Sequence, residues 1–243
     1  MKIKFVSFLL CCALFLIISC ASTYLALITS KSVKLNTFYN EDEDKTVVLF
    51  PMVHVNKPEF FEDVKIKLDS LRRDGFLVFY EGVAVVDSTM YSKENYDTLT
   101  LKARKLFGFN FQSKTYSSKE NKSLPKAIHN DKYIAQNRDI IGIKDEDVNV
   151  DMSVVEMIEV YEQKYGKIKL EDCDFTTPLN SKFKCDRLPN YLDIMIMTRN
   201  DTILSHLYKE SHKKIALVYG ERHFDFMRGA LQKQGGYIWL EKQ

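Results

Sequence analysis

Two histidines and one glutamate each stand just after a short apolar run, and together they form a set that can do chemistry. His54 follows Thr46-Val-Val-Leu-Phe-Pro-Met-Val53, and Glu81 follows Phe76-Leu-Val-Phe-Tyr80. His223 closes Gly220-Glu-Arg-His223, which follows Ile215-Ala-Leu-Val-Tyr219. Two imidazoles and a carboxylate are either ligands for a divalent metal ion or an acid/base set for hydrolysis. Taken singly, each has a plainer reading. A lone histidine near a core is more often a hydrogen-bonded structural residue. A carboxylate at a sheet rim is often half of a salt bridge or the partner of a helix N-terminus. Their positions argue for more. Each run is short, rich in β-branched and aromatic residues and bounded by turn signals, so each reads as a buried strand. Ligands of open α/β sheets sit outside the carboxyl ends of the strands. Three strand ends can therefore deliver these side chains to one rim, where a buried Glu81 needs a partner or a cation to offset its desolvation. Gly82 and Gly220 suit tight strand-to-loop turns, with positive φ open to glycine.

Arg199 is the fourth residue of this kind. A helix beginning at Tyr191 carries a stripe of Leu192, Met195, Ile196, Arg199, Ile203 and Leu207. An arginine within that stripe points toward the core and requires a carboxylate or an anionic ligand. Glu81, Glu221 or a substrate carbonyl can serve; the alternative is that Arg199 snorkels to the helix edge.

The elements that must position these residues follow from the pattern. Pro58 to Arg73 has Phe60, Phe61, Val64, Leu68 and Leu71 at helical spacing, with Pro58 at the start and Gly75 past the end. That strand–helix–strand unit predicts that the first two strands are parallel neighbours. Further helices are predicted over Asn95 to Phe107, Met152 to Tyr165, Tyr191 to His212 and Asp225 to Gln234, with a closing strand over Tyr237 to Leu240. Residues 85–190 lack clean strand–helix alternation and read as a largely helical middle insertion; Gly108 to Lys126 within it is polar and irregular. The fold class is therefore α/β, a central mostly parallel sheet with flanking helices.

The first 19 residues differ from the rest. Lys2 and Lys4 precede the apolar stretch from Phe5 to Ile18, and Ile17-Ile-Ser-Cys20 places a small residue before a cysteine. This is the pattern of a lipoprotein signal, cleaved so that Cys20 is lipidated and becomes the N-terminus. Apolar character continues through Tyr24-Leu-Ala-Leu-Ile28, so an uncleaved membrane anchor is the other reading. Both place the globular part outside the cytoplasm, in the cell envelope. Residues 20–44 then read as a membrane-proximal tether, and 45–243 as the catalytic or binding domain.

Of 35 basic residues, Lys2 and Lys4 lie in the leader, which contains no acid. The remainder has 33 basic and 33 acidic residues and no basic stripe, which argues against a nucleic-acid partner. Glu41-Asp-Glu-Asp44 reads as a solvated turn, because it lacks the spaced ligands of a calcium loop. Cys173 and Cys185 are either an exported disulfide or two unpaired thiols.

The combination Phe50-Pro-Met-Val-His54, Tyr80-Glu-Gly82, Arg199-Asn200 and Tyr219-Gly-Glu-Arg-His223 resembles the TraB/PrgY/GumN family, related to the TIKI proteases. The family's hallmarks are two Gly-x-x-His motifs, a strand-end glutamate between them and an arginine on a late helix. Gly220-Glu-Arg-His223 matches the second motif fully; in the first, Pro51 stands in place of glycine. The resemblance covers roughly Val47 to Leu240, loosely in the middle. It implies an α/β fold of the erythromycin-esterase/ChaN-like type. It also implies metal-dependent cleavage of a peptide or a small-molecule substrate, with a divalent metal ion on His54, Glu81 and His223. Glu81 and Arg199 would be the catalytic side chains. The erythromycin-esterase branch is thought to use histidine and glutamate without metal. The ChaN branch contains haem-binding lipoproteins, so a non-catalytic binder of haem or a signalling peptide is the alternative.

Overall fold

The computed structural model describes residues 30–110, 131–179 and 181–242. Cys20, the leader and most of the Gly108 to Lys126 stretch lie outside them. The centre is a six-stranded sheet. In chain order its strands are β1 (Asn36–Asn40), β2 (Lys45–Met52), β4 (Leu77–Tyr80), β6 (Val148–Asn149), β7 (Lys214–Gly220) and β8 (Ile238–Lys242). They are arranged β6-β4-β7-β2-β1-β8. Pairings β6–β4, β4–β7 and β7–β2 are parallel, while β1 runs antiparallel to both β2 and β8. The mostly parallel α/β sheet expected from sequence is present.

Its central strands β2, β4 and β7 are buried on both faces, which is why they read as continuous apolar runs. Along β2, Val47 and Leu49 face one layer, and Val48, Phe50 and Met52 face the other. The second layer is α1 (Pro58–Arg73), which inserts Phe60, Phe61, Val64 and Leu68. The first is built from α6 (Arg199–Lys209) and α7 (Glu221–Lys233), through Ile203, Leu207, Phe224 and Met227. Between β4 and α6 come α2 (Lys93–Phe107), α3 (Arg138–Ile141), α4 (Val154–Tyr165) and α5 (Asp172–Thr176). A capping box on Ser153 and Glu156 starts α4. With α2, it encloses a separate core around Leu106, Phe107, Met157, Ile158 and Tyr161. The described part of the middle region thus contains four helices joined by long irregular stretches, less helical than expected. It also lends β6 to the main sheet, and β5 (Ile134–Ala135) to a small pairing with β3 (Val55–Asn56).

Several sequence expectations are corrected. The first two long strands are not neighbours, because β7 lies between β2 and β4 and pairs with both. The crossover through α1 spans one strand position, and the chain fills the gap only after the middle region. The tether stops short of residue 44, because Asn36–Asn40 is a strand. Its alternating Asn36-Thr-Phe-Tyr-Asn40 presents one large apolar side chain inward, Phe38, and so lacks an apolar run. The acidic run is the exposed turn between β1 and β2, closed by Asp44 N–H donating to the Glu41 carbonyl. The helix from Tyr191 is not uniform. Asp193–Thr198 is wound as a π-helix before α6 begins. The wider π winding shifts the buried face, so Ile194 is buried and Leu192 exposed, while Ile203 and Leu207 keep their expected places. Finally, α7 starts directly at Glu221, so His223 belongs to its first turn rather than to a loop.

Cys173 and Cys185 form a disulfide with Cα atoms 5.9 Å apart, closing a loop of 12 residues. In the chain-entropy picture such a short loop is worth about 3 kcal/mol. Urea unfolding of the Cys173→Ser/Cys185→Ser double variant should show a loss of about that size. A change within about 0.5 kcal/mol would mean that the cross-link restrains little of the unfolded chain.

Candidate functional site

Because β4, β7 and β2 are consecutive in the sheet and parallel, their carboxyl ends form one rim. Glu81 lies at the end of β4, where its N–H still pairs with the Val218 carbonyl of β7 at 3.0 Å. Its carboxylate turns toward β7. Gly220 N–H donates to Oε2 at 2.7 Å, and Arg199 Nη2 donates to Oε1 at 2.7 Å. His223 Nε2 is 3.8 Å from the same Oε1. A side chain at residue 220 would bring its Cβ to 3.3 Å from Glu81 Oε2, and one at residue 82 would meet Asn149 at 3.0 Å. Neither Gly82 nor Gly220 has positive φ. They provide room for the carboxylate and the neighbouring strand, rather than the left-handed backbone expected of them.

Arg199 is the hub. Its Nε and Nη2 hold Asp151 Oδ1 and Oδ2 at 2.8 and 2.7 Å, a fork-to-fork pair, while Nη2 also reaches Glu81. The side chain is 6% exposed, so it does not snorkel. Of its three expected partners Glu81 is correct. Glu221 instead receives Arg228 at 2.8 Å. Asp151 was missed. It follows Val148-Asn-Val150, a strand end like the other three, but β6 is only two residues long and too short to stand out in sequence.

His223 is buried and oriented by Asn200, whose Oδ1 is 2.6 Å from Nδ1. An amide oxygen only accepts, so the ring proton sits on Nδ1 and Nε2 is the bare nitrogen facing Glu81. Asn200 neighbours Arg199 in the motif, so one turn of helix presents both partners. The Tyr219 ring packs edge-on against His223 at 5.8 Å between centroids. His54 is exposed at the end of β2. Its Nδ1 is 3.1 Å from Gln136 Nε2, and its carbonyl accepts Gln136 N–H at 2.9 Å, which ties it to β5.

The electrostatics follow from these contacts. Burial would raise the Glu81 pKa, but Arg199, with help from His223 and His54, overrides it and holds the carboxyl at about 2. Burial, reinforced by Arg199 and His54 and opposed by Glu81, holds His223 at about 4. Asp151 is raised by burial against the pull of Arg199. At neutral pH the cluster is therefore an anionic Glu81, a cationic Arg199 and a neutral His223. His54 after β2, Glu81 after β4 and His223 in the first turn after β7 thus stand at the carboxyl ends of three adjacent parallel strands.

They do not fit a metal centre as folded. Both Glu81 oxygens accept from N–H groups, and a divalent ion between Glu81 and His223 would stand beside the Arg199 guanidinium. Among the described residues no group of three His, Cys, Asp or Glu side chains is disposed to hold an ion. No protein-family model, no curated protein and no solved structure matches the chain.

Proposed function

We propose that this chain is a hydrolase of the cell envelope, anchored to the membrane by its N-terminal segment with Cys20 as the lipidation site, and that it cleaves a peptide bond or the ester or amide bond of a small molecule at the Glu81–His223–His54 rim. The observation that carries the reading is the largely buried Glu81 carboxylate, 3.8 Å from a neutral His223, at the shared end of three parallel strands with exposed His54 at the edge. The resemblance of the four motifs to the TraB/PrgY/GumN family supports the same class.

Each side chain has a role that its setting allows. Glu81 is a fixed anion, too acidic to act as a proton acceptor near neutrality, and it stabilises positive charge that develops on a neighbouring imidazole. His223, with its proton on Nδ1, offers Nε2 as an acceptor. His54 faces solvent and is the group that exchanges protons with substrate and water. Arg199 and Asn200 position the first two. A metal is left out of the proposal, because an ion between Glu81 and His223 would stand beside the Arg199 guanidinium.

The test is hydrolysis of a panel of chromogenic esters and a mixed peptide library, with and without added zinc, manganese or magnesium. Wild-type turnover is expected without added metal and should survive a chelator. His54→Ala should lower it by about a hundredfold with the fold intact by circular dichroism. Turnover that requires metal would restore the ligand reading. Absence of turnover under every condition, or wild-type turnover in both His54→Ala and Glu81→Gln, would remove the hydrolase reading in favour of a binding lipoprotein.

A further inference from the structure

The sheet's far edge carries the usual edge protection at one end only. β8 pairs with β1 and is the outermost strand of the order. Ile238, Trp239 and Leu240 are 57, 45 and 45% exposed. Open edges usually carry charge, proline or a central bulge to discourage pairing. Here the irregularity lies between Leu240 and Lys242, the partners of Thr37 and Asn36, and the charged residues Glu241 and Lys242 stand at that same end, so Ile238, Trp239 and Leu240 form a continuous apolar stretch with neither device. Trp239, the only tryptophan in the chain, stacks on buried Phe38 at 6.2 Å, so one face of its ring is fixed while the side chain stays half exposed.

The direction from which the chain enters gives this edge a neighbour. The apolar sequence from Phe5 ends at Ile28, two residues before Ser30. Ser32 and Val33 are tied to α1: Ser32 Oγ and Val33 N–H both donate to Asp63, and Lys67 donates to the Val33 carbonyl. Three residues later the chain enters β1, whose first residue, Asn36, pairs with Lys242 of β8. From Ile28 to Asn36 is eight residues, at most about 29 Å of extended chain. The chain that follows the apolar segment therefore joins the sheet at β1, the strand next to β8.

We infer that this edge lies against the bilayer surface, with Ile238, Trp239 and Leu240 seated in the interfacial region. The inference rests on the membrane anchoring in the proposed function and adds how the domain is oriented on the membrane. Alternation along the strand decides between lipid and a second copy. Trp239 is on the Phe38 face, so Ile238 and Leu240 are on the opposite face. Pairing β8 with β8 of another molecule would satisfy the edge backbone but leave apolar side chains on both faces in water. Edge-on contact with the interface covers both faces. Water and headgroups there also satisfy the free N–H and C=O groups, which the hydrocarbon interior would not allow.

The sole tryptophan reports the outcome directly. Full-length protein is reconstituted into phosphatidylcholine–phosphatidylglycerol vesicles, and Trp239 emission is followed with nitroxide-labelled lipids. Expected are flotation with the vesicles, a blue-shifted emission and loss of most intensity to a nitroxide near the headgroups, with less loss to one deep in the chains. Flotation with unshifted emission, quenched freely by aqueous acrylamide, would overturn the orientation and leave the anchor intact. Failure to float would overturn both. Concentration-dependent protection of Trp239 without lipid, accompanied by cross-linked dimers, would give the edge to a second copy.

Discussion

Arg199→Leu should destabilise the protein by about 3–5 kcal/mol at neutral pH, because it leaves buried charge without its partner. The size follows from what Arg199 holds apart. Asp151 and Glu81 both touch Nη2 at 2.7 Å, so removing the guanidinium leaves two carboxylates close together in a site where Asp151 is fully buried and Glu81 largely so. Two unit charges of like sign at 4 Å cost about 4 kcal/mol at an effective dielectric constant near 20. Leucine approximates the arginine stem in volume, so lost packing adds little. Two further measurements make the origin specific. Arg199→Leu combined with Asp151→Leu should recover part of the loss, because the pair is then replaced by apolar groups rather than broken. Lowering the pH should also shrink the penalty of the single variant, since one carboxyl then takes up a proton and the repulsion ends. Urea unfolding of the three proteins at two pH values decides the matter. A single-variant loss within about 0.5 kcal/mol would mean that the network contributes geometry and not stability.

How much of this was visible in the residues depends on where the information lies. The strands that carry His54, Glu81 and His223 were legible because burial on both faces makes them continuous apolar runs, and because their last residues are of a different chemical kind. Arg199 was legible because a charge interrupts an apolar stripe. What was hidden was set by distant partners. Nothing local in Leu77–Tyr80 or Lys214–Gly220 says that β7 slots between β4 and β2, yet that order brings the three ends together. Asp151 follows a two-residue strand that exists only because β4 offers it an edge. β1 reads as tether because an edge-side strand with one inward aromatic leaves a weak pattern, and its register is supplied by β2. The π-helical turn before Arg199 was invisible for the same reason, since its stripe still fits ordinary helical spacing from Arg199 onward. The site's residues were thus readable one at a time, whereas their connection through Arg199 and Asn200 was a property of the fold.

Acid should weaken the fold in two stages that belong to different members of this site. His223 titrates at about 4 in the folded protein, below its ordinary 6.5, because burial favours the neutral ring. Above pH 6.5 the ring is neutral in both folded and unfolded chains and contributes nothing. As pH falls from 6.5 to 4 the unfolded chain takes up a proton that the folded site refuses, so stability drops by about 3 kcal/mol. Glu81 acts in the same direction lower down. Its carboxyl is held at about 2 against an ordinary 4.5, chiefly because Arg199 overcomes the effect of burial. Its stabilising contribution is complete above pH 4.5 and is lost between there and pH 2, a further loss of about 3 kcal/mol. His223→Gln separates the stages, because glutamine can still donate toward Asn200 but does not titrate. Unfolding free energy measured against pH should then lose its slope between 6.5 and 4 relative to wild type, while the steeper fall below 4.5 persists. A variant curve parallel to wild type through the upper window would show that His223 is not held neutral by its surroundings. That result would also reassign the chemistry. The division of labour in the proposed reaction, with His223 as a neutral acceptor and His54 as the exchanging group, depends on an imidazole that resists protonation while it lies 3.8 Å from an anion.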